Sequence, residues 1–192
     1  MKGTEKMLIF MLTDEKQHTD SEQLDGLIQS IAKGDRDALA KLYHASSKQV
    51  YGFALSIVKN SADAEDVLQD CFIRIYNSSS LYKSNGKPMA WIMTITKNLA
   101  TQVLRDRARQ GESKDEAFDD FKASAEDRIV LQACMKLLND ESRQILILHA
   151  LSGFKHREIA QMLDLALPTV LSKYHRAIKK LRNHLQQEEH YE

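Results

Sequence analysis

The chain is short of cysteine: Cys71 and Cys134 are the only two in 192 residues, far apart and each on the apolar side of an expected helix. No zinc or disulfide spacing can be built from them, which suits a reducing cytoplasm, and each is expected to act as a small buried hydrophobe. The chain also lacks net charge, with 27 basic and 27 acidic side chains. That balance excludes a histone-like binder of nucleic acid and the strongly charged disordered class, while leaving room for local patches. Long apolar runs are missing as well. Met7 to Leu12 is the longest uninterrupted apolar run, and six residues are too few for a signal-peptide core or a bilayer span. It is either an ill-chosen start, with Met11 the true first residue, or a strand-like tail that docks on a partner. Catalytic constellations are absent too: the seven histidines are scattered without metal spacing, and there is no glycine-rich phosphate loop. No serine or cysteine has a recognisable base partner, so the expectation is no enzyme, no cofactor and no metal.

What is present is helical periodicity. With 43% hydrophobic residues the chain can build one core or two small ones. Leu24, Leu27, Ile28 and Ile31 step by three and four, and Gly34 and Asp35 close that helix and open another. Ala38, Leu39, Leu42, Tyr43, Val50, Phe53, Ala54, Ile57 and Val58 mark a longer helix with a bend expected near Ser46 and Ser47. Asn60 and Ser61 break the pattern, with Ser61 as the expected N-cap of a third helix over Asp63 to Tyr76. In that helix Ala64, Val67, Leu68, Phe72 and Ile75 line one side, while Asp63, Glu65, Asp66, Gln69 and Asp70 are expected outward. Such a face is either simply solvated or a surface for a basic or amide-rich partner. Asn77 to Pro88 reads as a loop, and Trp91, Ile92, Ile95, Leu99 and Val103 as the inward side of a fourth helix. Its other side carries Lys97, Asn98, Thr101, Gln102 and Arg105, continued by Arg107 and Arg109. Those bases either bind phosphate or answer the helix dipole. None of these stretches alternates as a strand does, so an all-α fold is expected.

Charge is segregated along the chain. Glu112 to Asp127 has a net charge of −5, whereas Lys155 to Arg182 has +5. The acidic stretch lacks an apolar period and is expected to be a linker, either plainly flexible or lying over basic surfaces until DNA displaces it. Beyond it, Ile129, Leu131, Cys134, Leu137 and Leu138 make a first helix, and Asn139 caps a second that buries Ile145, Leu146, Leu148 and His149 or Leu151. Gly153 ends it, a short helix runs from His156 to Leu163, and a long one from about Pro168 to Leu185 after a turn at Asp164 to Leu167. Two helices joined by a tight turn, the second long and basic outside, fit a helix-turn-helix. The expected layout is a tail at 1–19, a helical domain at 20–110, an acidic linker at 111–125, a second helical domain at 126–187 and a short tail at 188–192.

Three blocks carry a resemblance: D-A-E-D-x-x-Q-D-x-F at Asp63 to Phe72, P-x-A-W at Pro88 to Trp91, and E-I-A-x-x-L through T-V and H-R-A at Glu158 to Ala177. In their order they resemble bacterial sigma-70 family sigma factors of the extracytoplasmic-function group, over roughly Leu24 to Leu185. The resemblance implies a four-helix region 2 domain and a four-helix region 4 domain with a helix-turn-helix. It also implies core RNA polymerase as partner, through the clamp coiled coil of the largest subunit and the flap of the second, with promoter DNA and an anti-sigma factor besides. Asp66, Gln69 and Asp70 resemble the clamp-docking residues, where acids and amides meet arginines. The loop Ser78 to Pro88 resembles the specificity loop that captures a flipped base of the minus-ten element. Asn85, Lys87, Lys97, Asn98 and Arg105 are the implied minus-ten contacts, and Lys155, Arg157, Thr169, Ser172, Lys173 and Arg176 the minus-thirty-five contacts.

The second domain departs from the family pattern at several positions. Lys155 stands where a Ser or Thr usually caps the first helix, and Ala166 where a Ser caps the recognition helix, a loss of about 1 kcal/mol. Pro168 is tolerated in the first helical turn. Leu171 replaces a DNA-facing lysine and Lys173 an arginine, so one phosphate contact is lost and a bidentate one weakened. Leu171 is instead placed to touch a thymine methyl. Two other functions stand beside the leading one: a helix-turn-helix repressor or activator, and a sigma mimic that titrates an anti-sigma protein without DNA. The first lacks a receiver pocket on a βα pattern, and the basic residues retained along the recognition helix argue against the second.

Overall fold

The computed structural model describes residues 21–111 and 136–188, with side chains as far as 184. Met7 to Leu12, the tail, the linker from Glu112 onward, and Ile129, Leu131 and Cys134 lie outside the described residues. Every regular element among those described is helical, and they fall into two compact units.

The first unit holds α1 (Ser21–Ala32), α2 (Arg36–Val58), α3 (Ser61–Ser78), a single 3-10 turn (Ser79–Leu81) and α4 (Pro88–Gln110). Gly34 takes a positive φ of 91° to leave α1, and Asp35 then caps α2 by accepting from the amides of Asp37 and Ala38. α2 runs unbroken through Ser46, whose hydroxyl is absorbed by donating to Leu42 O at 2.7 Å. It ends at Lys59, which adopts a left-handed φ of 57°. The next cap falls one residue before the expected Ser61. Asn60 has extended backbone, and its side chain accepts from Asp63 N at 3.1 Å, whereas Ser61 is already the first helical residue.

The core of this unit is largely apolar. Leu24, Ile28, Leu42, Phe53, Ile75, Ile92 and Met93 are fully buried, each such side chain contributing roughly 1.5–3 kcal/mol. Cys71 is among them, its thiol 3.4 Å from the Thr96 hydroxyl, and burial pushes that thiol up to about 11. Tyr43, expected inward, is 40% exposed and leans its ring on Phe72 at 4.9 Å.

The second unit holds α5 (Asp140–Ala150), α6 (His156–Leu163) and α7 (Leu167–Glu188). Asn139 caps α5 through Ser142 N, as its residue type and place suggest. Ile145, Leu146, Leu148, Ile159, Val170, Ala177 and Leu181 form its core. Beside them the rings of His149 and His156 stack at 4.3 Å, and Tyr174 meets both edge-on at 4.8 and 4.7 Å, so three helices share one aromatic joint. His149 Nδ1 lies 2.8 Å from Phe154 O and donates to it, which fixes that ring. Leu151, the alternative inward residue, is 38% exposed.

Candidate functional site

In α3 Ala64, Val67, Leu68, Cys71, Phe72 and Ile75 are drawn into the core, and Glu65, Asp66, Gln69 and Asp70 are left exposed along the opposite side, with Ile73, at 59% exposure, beyond them on the same face. Asp66, Gln69 and Asp70 are spaced by three and four, so their side chains stand together on one face. Asp63 does not join them. It is buried at 6% exposure and pairs with Arg107 from the last turn of α4. The same guanidinium donates to Val58 O at 3.1 Å, so the end of α2, the start of α3 and the end of α4 meet on one arginine. Asp63 therefore leaves the outward acidic set, and Arg107 leaves the basic helix end, because α4 packs across the start of α3.

The three arginines at the end of α4 thus have three different settings. Arg107 is internal, and Arg109 pairs with Asp106 at 3.3 Å on the surface. Arg105 stays exposed and makes no ion pair among the described residues. Asn98 is exposed and Lys97 half-buried on the same helix.

The loop before α4 is ordered by its own polar side chains. Asn85 accepts from Lys87 N at 3.1 Å, Gly86 takes a positive φ of 71°, and Pro88 starts the helix buried. Ser79 donates to Tyr76 O at 3.1 Å. Two contacts that sequence reasoning missed hold the middle of the loop: the Tyr82 hydroxyl donates to Asp25 Oδ1, and Ser84 Oγ to Asp25 Oδ2 at 2.9 Å. Asp25 sits beside the apolar stripe of α1, and the only local signal was an acid next to Leu24 and three residues before Ile28. Asn85 and Lys87 remain exposed at the loop tip.

In the second unit, α6 and α7 are joined by a turn of three residues, Asp164 to Ala166. Asp164 has a left-handed φ of 56°, and its amide and that of Leu165 both close on Ala160 O. Ala166 stands at the start of α7, where its carbonyl accepts from Thr169 and Val170 but its methyl caps nothing. At the start of α6, Lys155 N is satisfied by Glu158 Oε2 at 3.0 Å, so Glu158 supplies the half of a capping box that a lysine cannot.

Lys155, Arg157, Ser172 and Arg176 are exposed, Thr169 is half-buried, and Leu171 is 37% exposed on the same helix. Lys173 is 19% exposed at its side chain and bound to Glu141 of α5 at 2.7 Å. The structure therefore leaves most of the expected basic residues outward, but it ties Lys173 to an acid.

One helical unit with a tight-turned helix-turn-helix and a separate one with an exposed acidic and amide helix face define the class of modular helix-turn-helix proteins. Comparison with known proteins makes this specific. The sigma-70 region 2 model matches residues 42–110, and the sigma-70 region 4 model residues 128–181. The chain is 28% identical over 177 residues to the ECF RNA polymerase sigma factor SigK of Mycobacterium ulcerans (strain Agy99), covering 85% of this chain and 94% of that protein. It is 29% identical over 173 residues to the SigK of Mycobacterium sp. (strain KMS), covering 83% and 89%.

Among solved structures, the sigma factor RpoE in complex with the anti-sigma factor NepR from Bartonella quintana has a TM-score of 0.65 at 22% identity, covering 77% of this chain and 96% of that one. CnrH in complex with the cytosolic domain of CnrY has a TM-score of 0.61 at 22% identity, covering 86% and 98%. The chain belongs to the sigma-70 family, in its extracytoplasmic-function group.

Proposed function

We propose that this sigma factor binds core RNA polymerase and directs promoter recognition and opening in transcription initiation. The observation that carries the reading is the exposed cluster of Asp66, Gln69 and Asp70 on α3, on a helix whose other side is fully committed to the core. Acids and an amide there suit the arginines of a clamp coiled coil through charge-assisted hydrogen bonds. Asn85, Lys87, Lys97, Asn98 and Arg105 then serve the opened minus-ten element, and Lys155, Arg157, Thr169, Ser172 and Arg176 the minus-thirty-five duplex, with Lys173 reaching DNA only after it leaves Glu141.

The protein is no enzyme in this reading. It lowers the cost of opening DNA by binding the opened form better than the closed one. The cytoplasm is its place of action, and among the described residues no helix is long and apolar enough to cross a membrane. Both of these solved structures are complexes with a second protein, which for RpoE is the anti-sigma factor NepR, and an anti-sigma partner is part of the proposal here.

Adding the protein to core polymerase is expected to give promoter-dependent transcripts. Asp66→Ala with Gln69→Ala is expected to weaken core association and leave the helical circular dichroism signal unchanged. Purified protein that does not associate with core polymerase would refute the proposal.

A further inference from the structure

Asp25 is a buried acid on α1, at 9% exposure, and its two oxygens are taken by two hydroxyls of the 79–87 loop. The Tyr82 ring also rests on Trp91 of α4, with centroids 4.8 Å apart. With Ser79 fastened to Tyr76 O and Asn85 to Lys87 N, the loop is held at its start, middle and end. An ionised carboxylate is acceptor-only, and a hydroxyl has one proton. Ser84, which is exposed, has given that proton to Asp25, so only lone pairs of its oxygen face solvent.

We propose that Asp25 is a positioning residue for DNA recognition: it fixes the loop before DNA arrives and sets Ser84 Oγ as an acceptor, favouring captured bases whose 6- or 4-position carries an amine, adenine or cytosine. With the exocyclic 6- or 4-position of the base turned to Ser84, adenine N6 or cytosine N4 can donate to that oxygen, whereas guanine O6 or thymine O4 brings another acceptor. Because the loop is already ordered in the free protein, capture does not carry the entropic cost of ordering it. The inference rests on the loop's reading as a base-capturing element. Asparagine at 25 keeps the size but adds a donor, so it releases one hydroxyl proton to point outward.

The test uses holoenzyme reconstituted from core polymerase and the full chain, offered a pool of short randomised single strands, with bound and unbound fractions sequenced. Wild-type protein is expected to favour adenine or cytosine over thymine at one position. Asp25→Asn and, should that variant fold poorly, the exposed Ser84→Ala are each expected to cut this preference about fivefold, the worth of one hydrogen bond. Affinity for duplex pools and for core polymerase should not change. Independently of DNA, Asp25→Asn and Tyr82→Phe should shift the fluorescence of Trp91, the only tryptophan. Wild-type base preferences in Ser84→Ala, or a wild-type preference for thymine, would overturn the inference alone. A wild-type holoenzyme that retains duplex binding but selects no single strand would overturn the base-capture reading, and this inference with it.

Discussion

Arg107 offers the sharpest contrast between a surface cation and a structural one, and its replacement decides between them. Its side chain is 14% exposed and that of its partner Asp63 8%. It also carries Val58 O at 3.1 Å. Replacing Arg107 by Gln leaves Asp63 charged in a site nearly closed to water and strands a carbonyl at the end of α2. Removing one member of a buried pair costs about 3 kcal/mol or more, because the remaining charge loses its compensation. An exposed basic residue at a helix end would cost well under about 1 kcal/mol.

Trp91 lies in the same unit, so its fluorescence in a urea titration follows the unfolding of that unit alone. With a slope of about 1.5 kcal/mol per molar urea, the midpoint should fall by about 2 M. Asp63→Asn should behave similarly, and the double replacement should cost less than the sum of the two. The reasoning fails if Arg107→Gln leaves the midpoint in place while weakening DNA binding, since Arg107 would then be a phosphate contact.

Three further outcomes are expected. Cys71, with its thiol raised from about 9 to about 11 by burial, should resist iodoacetamide in the folded protein at neutral pH and react once urea unfolds the unit. The unfolded thiol ionises first, so its contribution to stability is complete below about pH 9 and is lost as pH rises through about 11, which urea titrations across that range would follow. Asp164→Gly relieves a left-handed φ of 56° between α6 and α7 and should change the stability of that unit by up to about 1 kcal/mol, in the stabilising direction by thermal melting. Glu141→Gln frees Lys173 for phosphate, so duplex binding should tighten and the salt slope should steepen by about one counterion; an unchanged slope would place Lys173 away from DNA.

Periodicity, caps and order of motifs were enough to determine an all-helical protein with two helical domains and a helix-turn-helix, because a repeat of 3.6 residues and the residue types at helix ends act locally. The exposure of Asp66, Gln69 and Asp70 was legible for the same reason: they lie on the side of α3 opposite Leu68, Phe72 and Ile75. Local pattern could not tell Asp63 from its acidic neighbours, nor Arg107 from Arg105 and Arg109. Their separation depends on where α4 crosses α3, and a helical wheel contains no crossing. Asp25 with Tyr82 and Ser84, and Glu141 with Lys173, are likewise pairings of residues distant in the chain. Only the packed helices bring such groups within hydrogen-bonding reach, and so only the tertiary structure decided which charges are spent inside the protein and which remain for its partners.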